Sequence, residues 1–551
     1  MLRMTLVLLC LCTPLAARDY DTAPTLANPG GTTVVSVSTV SALQNAVANI
    51  ADNQIIEVAD GTYTLTQSLF FNGAATVTRT NIGIRSASRN PAACIIQGNG
   101  MSSSSGTIPH GIHVSKTSTM LIADLTIRNV YYHAIQIAGE TGVSNVRIYN
   151  CRLLDTGEQF IKGSASGYAG GSDNGIVEYT LMRYTAQGTT YTNGVDIHGG
   201  DGWIIRHNRF ELVNLVPGGV GPAVLMWNGS SNTTCEGNTF INCETAIALG
   251  LIDRTAPQTD HAGGVIRNNF IYRAGGTPTG VDTPDCSILI WDSPNTKCLN
   301  NTIIQSGSFA NGIEYRFSTT GAEIRFNLLD CAVTDRGGGT SANTVSNNVS
   351  NAQASWFIAA SSGDLRLSAT APASVVNAAT THASVSDDYD GNARPAGIAP
   401  DMGACEDNTT PPAPTAPSAP TNCSAVAQAG LQISVSWTDA SNNEDGFRLE
   451  RSVSGGAFAT LTTLAAGATS YLDTGLTDGT QYTYRVIASN TVGDSAASNS
   501  ASATATVSAP VGRGTGGTSG GGGGCSAGET GGVLLLVLAA ASLALRRKRA
   551  A

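Results

Sequence analysis

Two short runs of this chain concentrate side chains able to move protons beside an anionic group. The first is Asp155-Thr-Gly-Glu158-Gln-Phe-Ile-Lys162-Gly. The second is Tyr191-Thr-Asn-Gly194-Val-Asp196-Ile-His198, with Arg206-His207-Asn208 close behind. Taking a proton from carbon next to a carboxylate needs a base, plus a cation or metal to neutralise that carboxylate. Lys162, His198 and Arg206 are the catalytic candidates, and Glu158 and Asp196 the candidate metal ligands. Hydrolysis of a glycosidic bond would need paired carboxylates instead. Asp196 and Asp201 are loosely placed for that, and the adjacent pair Asp387-Asp388 lies far downstream.

Short apolar runs must position these groups. Gly111-Ile-His-Val114, Ala134-Ile-Gln-Ile137, Gly194-Val-Asp-Ile197, Ala223-Val-Leu-Met226, Ala246-Ile-Ala-Leu249, Ser287-Ile-Leu-Ile290 and Gly312-Ile-Glu-Tyr315 each read as one strand. Between them recurs apolar-x-x-Asn-x-Phe/Ile/Leu, with looser copies at Asn150 and Asn347. Its central residues are Asn208, Asn238, Asn268, Asn301 and Asn327, at intervals of 30, 30, 33 and 26 residues. Two short strands per repeat form no closed unit, so each repeat buries its apolar side only by stacking on the next. Asn suits a sharp corner because it tolerates the left-handed backbone, and its amide can bond the equivalent Asn one coil away. Leucine-rich and ankyrin repeats need Leu ladders or helices, which this pattern lacks.

Alternation puts a mixed polar and aromatic line on the outer face of the second strand: His113, His133, Gln136, Asp196, His198, Trp227, Trp291, Asp292, Glu314 and Arg316. Such a line suits a carbohydrate groove, since aromatic faces stack on sugar rings and polar groups fix hydroxyls. His133, Tyr191, Trp227, Trp291 and Arg316 are the candidate substrate-binding residues.

The ends of the repeat region agree. Ser41-Ala-Leu43-Gln-Asn-Ala46-Val47 has a Ser cap and helical apolar spacing, as for a helix plugging the first coil, and Ile55-Ile-Glu-Val58 follows as a strand. Asp390-Gly-Asn-Ala-Arg394 and Asp401-Met-Gly403-Ala-Cys405-Glu406 close the region. Residues 30–407 together resemble a right-handed parallel β-helix of the pectate lyase superfamily. Gly157-Glu158 with Ile161-Lys162 is similar to the calcium and base region of alginate and chondroitin lyases on that fold. The resemblance implies a polysaccharide lyase with Lys162 as base, His198 as proton donor, and Ca2+ at Glu158 and Asp196. Those lyases carry an Arg on a later coil where this chain has Gly194-Val-Asp-Ile-His198.

Composition bounds the setting. The chain has 551 residues, 63 of them Gly, only 13% charged, and a net charge of −10. Few charges and many small residues suit stacked strands, and the acidic balance argues against nucleic acid as partner. Residues 1–17 read as a signal peptide and 18–407 as the β-helix domain. A Pro/Thr-rich linker spans 408–420, a β-sandwich 421–508, a Gly-rich linker 509–530, and an apolar segment with a basic end 531–551. Export permits disulfides, with Cys235/Cys243 and Cys286/Cys298 as local candidates; buried thiols in the core are the alternative.

In the sandwich, Val435-Ser-Trp437-Thr-Asp439, Glu444-Asp-Gly-Phe447, Leu476 and Tyr482, and Tyr484-Arg-Val486 resemble a fibronectin type III domain, with Trp437 in the core and Tyr482 as its tyrosine corner. The Gly run, Cys525, apolar stretch and Arg546-Arg547-Lys548-Arg549 resemble bacterial C-terminal sorting tags, implying attachment to the cell envelope. The expectation is an exported monomer, all-β, whose partner is an extracellular polysaccharide. Its function is either lyase cleavage, hydrolysis on the same fold, or adhesion without catalysis.

Overall fold

The computed structural model describes residues 20–507 except 73–76, 103–106, 187, 189–190, 215–220, 276–285, 338–341, 408–415, 442–443 and 491. The expected signal peptide, the Gly-rich linker, the C-terminal segment and most of the Pro/Thr-rich linker lie outside the described residues. The chain divides into two compact units, Met1–Pro411 and Pro412–Ala551. Among the described residues no helix is long and apolar enough to cross a membrane.

The first unit is a parallel β-helix. Three long sheets run its length: sheet I has twelve strands, sheets II and III ten each, and within each sheet the neighbours are strands of successive coils. Sheet I runs from Thr33–Val37 to Thr344–Ser346, sheet II from Gly61–Thr64 to Leu328–Leu329, and sheet III from Leu69–Asn72 to Ala332–Asp335. One coil is Met120–Ala123, Thr126–Val130 and His133–Ala138, and each strand pairs in parallel with its counterpart in the next coil. Inward residues such as Ile122, Ile127, Ile135, Ile161 and Ile197 are fully buried and stack into one continuous core. Stacking lets strands of two to six residues exclude water from one side.

The corner between sheets I and II shows a division of labour that the sequence motif blurred. The left-handed residue is the one before the ladder Asn: His207, Asn268, Asn300, Phe326 and Asn347 have φ of 55°, 54°, 51°, 60° and 54°, and Gly237 has 61°. The ladder runs inside this corner through Asn208, Asn238, Asn269, Asn301, Asn327 and Asn348, each Nδ2 donating to the next Oδ1 at 2.9–3.0 Å. In the looser copy at Asn150, and in the third and last copies at Asn268 and Asn347, the motif therefore named the turn residue instead of the position beside it. Each ladder Oδ1 also accepts a backbone N–H, and each Nδ2 also donates to a carbonyl of the preceding coil, as Asn238 does to Ile205 at 2.9 Å. Every polar atom of these buried amides is satisfied, which is the condition for keeping them out of water.

The first coil is capped by the helix Val40–Ala48, whose Leu43 and Val47 are buried. Its N-cap is Thr39, whose Oγ1 accepts from Ala42 N at 3.2 Å, two residues before the expected Ser41. At the far end, residues beyond 354 fold back on sheet II, with Tyr389 stacked on Phe270 at 3.9 Å. Arg394 there donates to Glu406 at 2.5 Å and to the carbonyls of Asp401 and Gly403, which explains the terminal segment as a self-bracing clasp.

Among the described residues the nine cysteines are buried and form no disulfide, so the pairs Cys235/Cys243 and Cys286/Cys298 are not bridged and the buried-thiol alternative describes them. Cys235 lies inside sheet I, and Cys243 just after the sheet II strand Thr239–Ile241.

The second unit is an antiparallel sandwich. Thr421–Gln428, Gln432–Thr438 and Ser470–Asp473 form one sheet; Ala459–Ala465, Gly446–Val453 and Gln481–Asn490 lead the other. Trp437, Phe447 and Tyr484 fill its core, and the Tyr482 hydroxyl accepts from Thr477 N at 3.1 Å, closing the expected tyrosine corner.

Candidate functional site

The site is built on the outer face of sheet III, where period-two alternation turns every second side chain away from the core. Register aligns Gln136 with Lys162, Lys162 with Asp196, and, two residues further along, His198 with Trp227. Lys162 Nζ donates to Asp196 Oδ2 at 2.5 Å and meets His198 Nε2 at 2.8 Å. Trp227 Nε1 donates to the other Asp196 oxygen at 3.0 Å, and its ring meets His198 edge-on at 4.6 Å. Asp196 is only 1% exposed, against 19% for Lys162 and 24% for His198, so the carboxylate is the buried anchor and the two bases form the accessible surface.

Protonation follows from that geometry. An ammonium has only donors, so His198 Nε2 must accept from Lys162, and the ring proton sits on Nδ1. Burial, followed by the Lys162 charge, pushes the His198 pKa down. His198 is therefore neutral at neutral pH with a lone pair, not a proton, facing Lys162.

The other expected site residues fall into three groups. His133 lies one strand before Lys162 on the same face; it is 7% exposed, and burial holds its pKa well below the usual histidine value, with His110 and Lys162 adding to the effect. Tyr191 is exposed on the turn leading to Val195–His198, and its carbonyl accepts from Gln159 Nε2 at 3.3 Å. Trp291 and Arg316 share the face four and five strands beyond Lys162, about 19 and 24 Å away at the strand spacing. Trp291 Nε1 donates to Glu314 at 2.9 Å, and the Arg316 guanidinium lies 4.9 Å from the Trp291 ring centre.

Arg206 is not brought to the site. It lies on sheet I, donating to Glu178 Oε2 at 2.8 Å, and Arg147 binds the same carboxylate.

Calcium does not fit Glu158 and Asp196 as arranged. Both Asp196 oxygens are taken, one by an ammonium and one by an indole N–H. Glu158 stands on the turn before Ile161–Ser164, its carbonyl accepting from Thr156 Oγ1 at 2.9 Å. Ca2+ demands about six to eight oxygen ligands. Among the described residues, Asp388, Asp390 and Cys405 group as potential ligands. There Asp390 is held by Arg366 at 2.6–2.7 Å, and Asp388 accepts from the Asn392 and Glu406 backbones, so the donors are spent on the clasp. Asp201, the loosely placed partner for a hydrolytic pair, braces a turn by accepting from Ser231 and Asn232.

Two features escaped sequence reasoning. In the strands after Asp196 the outward positions are Leu225, Ala248 and Leu289, which pack with Trp227, Leu251 and Trp291 into a separate apolar cluster on the outside. Continuous apolar runs such as Ala223-Val-Leu-Met226 were the signal, since a half-solvated strand alternates. The second feature is the loop after Leu249. Asp260, fully buried, accepts from Leu251 N and Ile252 N and from Arg254 Nε at 2.7 Å, and Arg254 Nη2 donates to Asn228, next to Trp227. This pinned loop walls the Trp227 side of the site.

Residues 418–504 match the fibronectin type III domain. Solved structures similar to part of the chain include a Fn3-like protein from Clostridium thermocellum, 32% identical, covering 16% of this chain and 95% of that one with a TM-score of 0.15. Another is the twitchin kinase region from C. elegans, 21% identical, covering 17% of each chain with a TM-score of 0.15. No curated protein matches the chain. The fold is thus a parallel β-helix joined to a C-terminal fibronectin type III sandwich.

Proposed function

We propose that the outer face of sheet III binds an extracellular polysaccharide containing uronate, and that the Lys162–His198–Asp196 group cleaves it by β-elimination. The observation that carries this reading is the His198 ring nitrogen 2.8 Å from Lys162 Nζ on an accessible face flanked by tryptophan. Elimination needs a base for the C5 proton and a cation for the neighbouring carboxylate. A substrate carboxylate pairing with Lys162 draws its N–H away from His198 and frees the Nε2 lone pair. His198 then takes the C5 proton, the C–H electrons form the C4–C5 double bond, and the C4–O bond breaks. The leaving oxygen recovers the proton from the imidazolium, so no water is consumed. Asp196, fixed by Trp227, holds Lys162 in place. Export and display at the cell envelope follow the sequence features at both chain ends and belong to the same proposal, with the sandwich as spacer.

Incubation of the whole protein with alginate, pectate and chondroitin tests this. The expected result is ultraviolet absorbance from unsaturated uronate ends, with and without calcium. Reducing ends without absorbance would replace elimination by hydrolysis, and retention without product would leave a binding protein.

A further inference from the structure

The row of outward residues continues past Lys162 toward the start of the solenoid. Phe70 aligns with His113, His113 with Gln136, and Gln136 with Lys162. Phe70 is 44% exposed although its neighbours Leu69 and Phe71 are buried, so alternation points a phenyl ring outward on the face that carries the site. It lies 4.4 Å from the His113 ring. Behind it His110 stacks on His133 at 5.2 Å and on Tyr132 at 5.8 Å, and Tyr131 packs on Tyr132 at 4.1 Å.

A second observation is independent of the stacking. The Nδ1 atoms of His110, His113 and His133 are buried and have no hydrogen-bond partner among the described residues, and His133 is more than nine-tenths buried. Burial also lowers the pKa of all three rings, so the cluster is uncharged at neutral pH.

We propose that this end of the face is a second saccharide subsite: Phe70, backed by the His113 ring, stacks on a non-reacting sugar. The inference rests on the polysaccharide reading of sheet III and deepens it. The occupant is the same chain that reaches Lys162, because the row is continuous in register with that site. Phe70 stands three strand spacings from Lys162, about 14 Å. A sugar unit in an extended chain is about as long as one spacing, so the stacked unit lies about three units from the cleaved bond. The subsite favours long chains and an interior cut.

The test compares the full protein with its Phe70→Ala and Phe70→Tyr variants on alginate, pectate and chondroitin, each as polymer and as trisaccharide. Phe70 is exposed, and a thermal melt checks that the fold survives. The expected result is about tenfold weaker retention and a matching rise in KM on polymer for Phe70→Ala. The trisaccharide should be unchanged, and Phe70→Tyr should restore polymer binding. Equal behaviour of Phe70→Ala and wild type on polymer would overturn the subsite and leave the Lys162 site standing, as would an equal loss on polymer and trisaccharide. Wild type that neither retains nor cleaves any polymer would overturn this inference together with the proposed function.

Discussion

The two halves of sheet III share one backbone design and differ in what they turn outward. From His113 to His198 the outer positions carry imidazoles, an amide, an ammonium and a carboxylate; from Leu225 to Leu289 they carry Leu, Ala and Leu sealed by Trp227, Leu251 and Trp291. Strand pairing is the same in both, so the backbone does not decide where chemistry sits. The polar half holds its buried carboxylate only because Lys162 and Trp227 partner it, while the apolar half is an added patch of core on the outside. One half should fail when a partner is removed, the other when volume is removed.

The largest effect is expected at Lys162. Lys162→Ala leaves the Asp196 carboxylate buried without its ammonium, and breaking a buried pair costs about 3–5 kcal/mol. Chemical denaturation of Lys162→Ala, Asp196→Asn and the double variant checks this: the double variant should be more stable than the sum of the single losses predicts. In the apolar half Leu289→Ala, four strands from Lys162, should lose about 2–4 kcal/mol by leaving a cavity, with no coupling to Lys162. Additive behaviour at Lys162 and Asp196 would erase the distinction between the halves.

Next comes His198→Gln, which keeps a polar group beside Lys162. It should lower kcat by about 10²–10⁴-fold with little change in melting temperature. Full activity in this variant would place the base elsewhere.

A pH dependence sharpens the comparison. Burial pushes His110 down to about 4 and His261 down to about 3, and lowers His113, His133 and His198. Below the ordinary value of 6.5 the unfolded chain binds protons that the folded chain refuses, so stability is full above 6.5 and falls as pH drops toward 4. For fully buried His261 the slope is roughly 1.4 kcal/mol per pH unit. Asp401, pushed up to about 6 by burial, works in the opposite direction and offsets part of one such contribution. Melting temperatures between pH 7 and 4 should fall, and a flat profile would contradict neutral buried imidazoles.

The smallest effect is expected for Trp291→Ala at the far end of the apolar half. It should weaken polysaccharide retention several-fold, with kcat unchanged.

The fold was legible because stacking forces periodicity into the sequence: each of the seven outward-facing strand runs lies in sheet III, and the sandwich core residues stand where alternation put them. The ladder was legible in type but shifted in register at Asn268 and Asn347, because a corner with two adjacent asparagines does not reveal which one takes the left-handed backbone. At the site, Lys162, Asp196, His198 and Trp227 come together because consecutive coils align them. Arg206 does not, since eight residues further along the chain has turned onto another sheet. The charge state of His198 was not legible either, as it depends on burial and on a lysine from another coil.

The central claim is that a neutral imidazole faces a lysine ammonium on this surface. Nitrogen-15 NMR of the intact protein with labelled histidine, assigned through His198→Gln, tests it most directly at pH 7. The account predicts His198 as the Nδ1–H tautomer, with an Nε2 shift that moves when Lys162 is replaced by Met. An imidazolium signal from His198 at pH 7, or the Nε2–H tautomer, would contradict it.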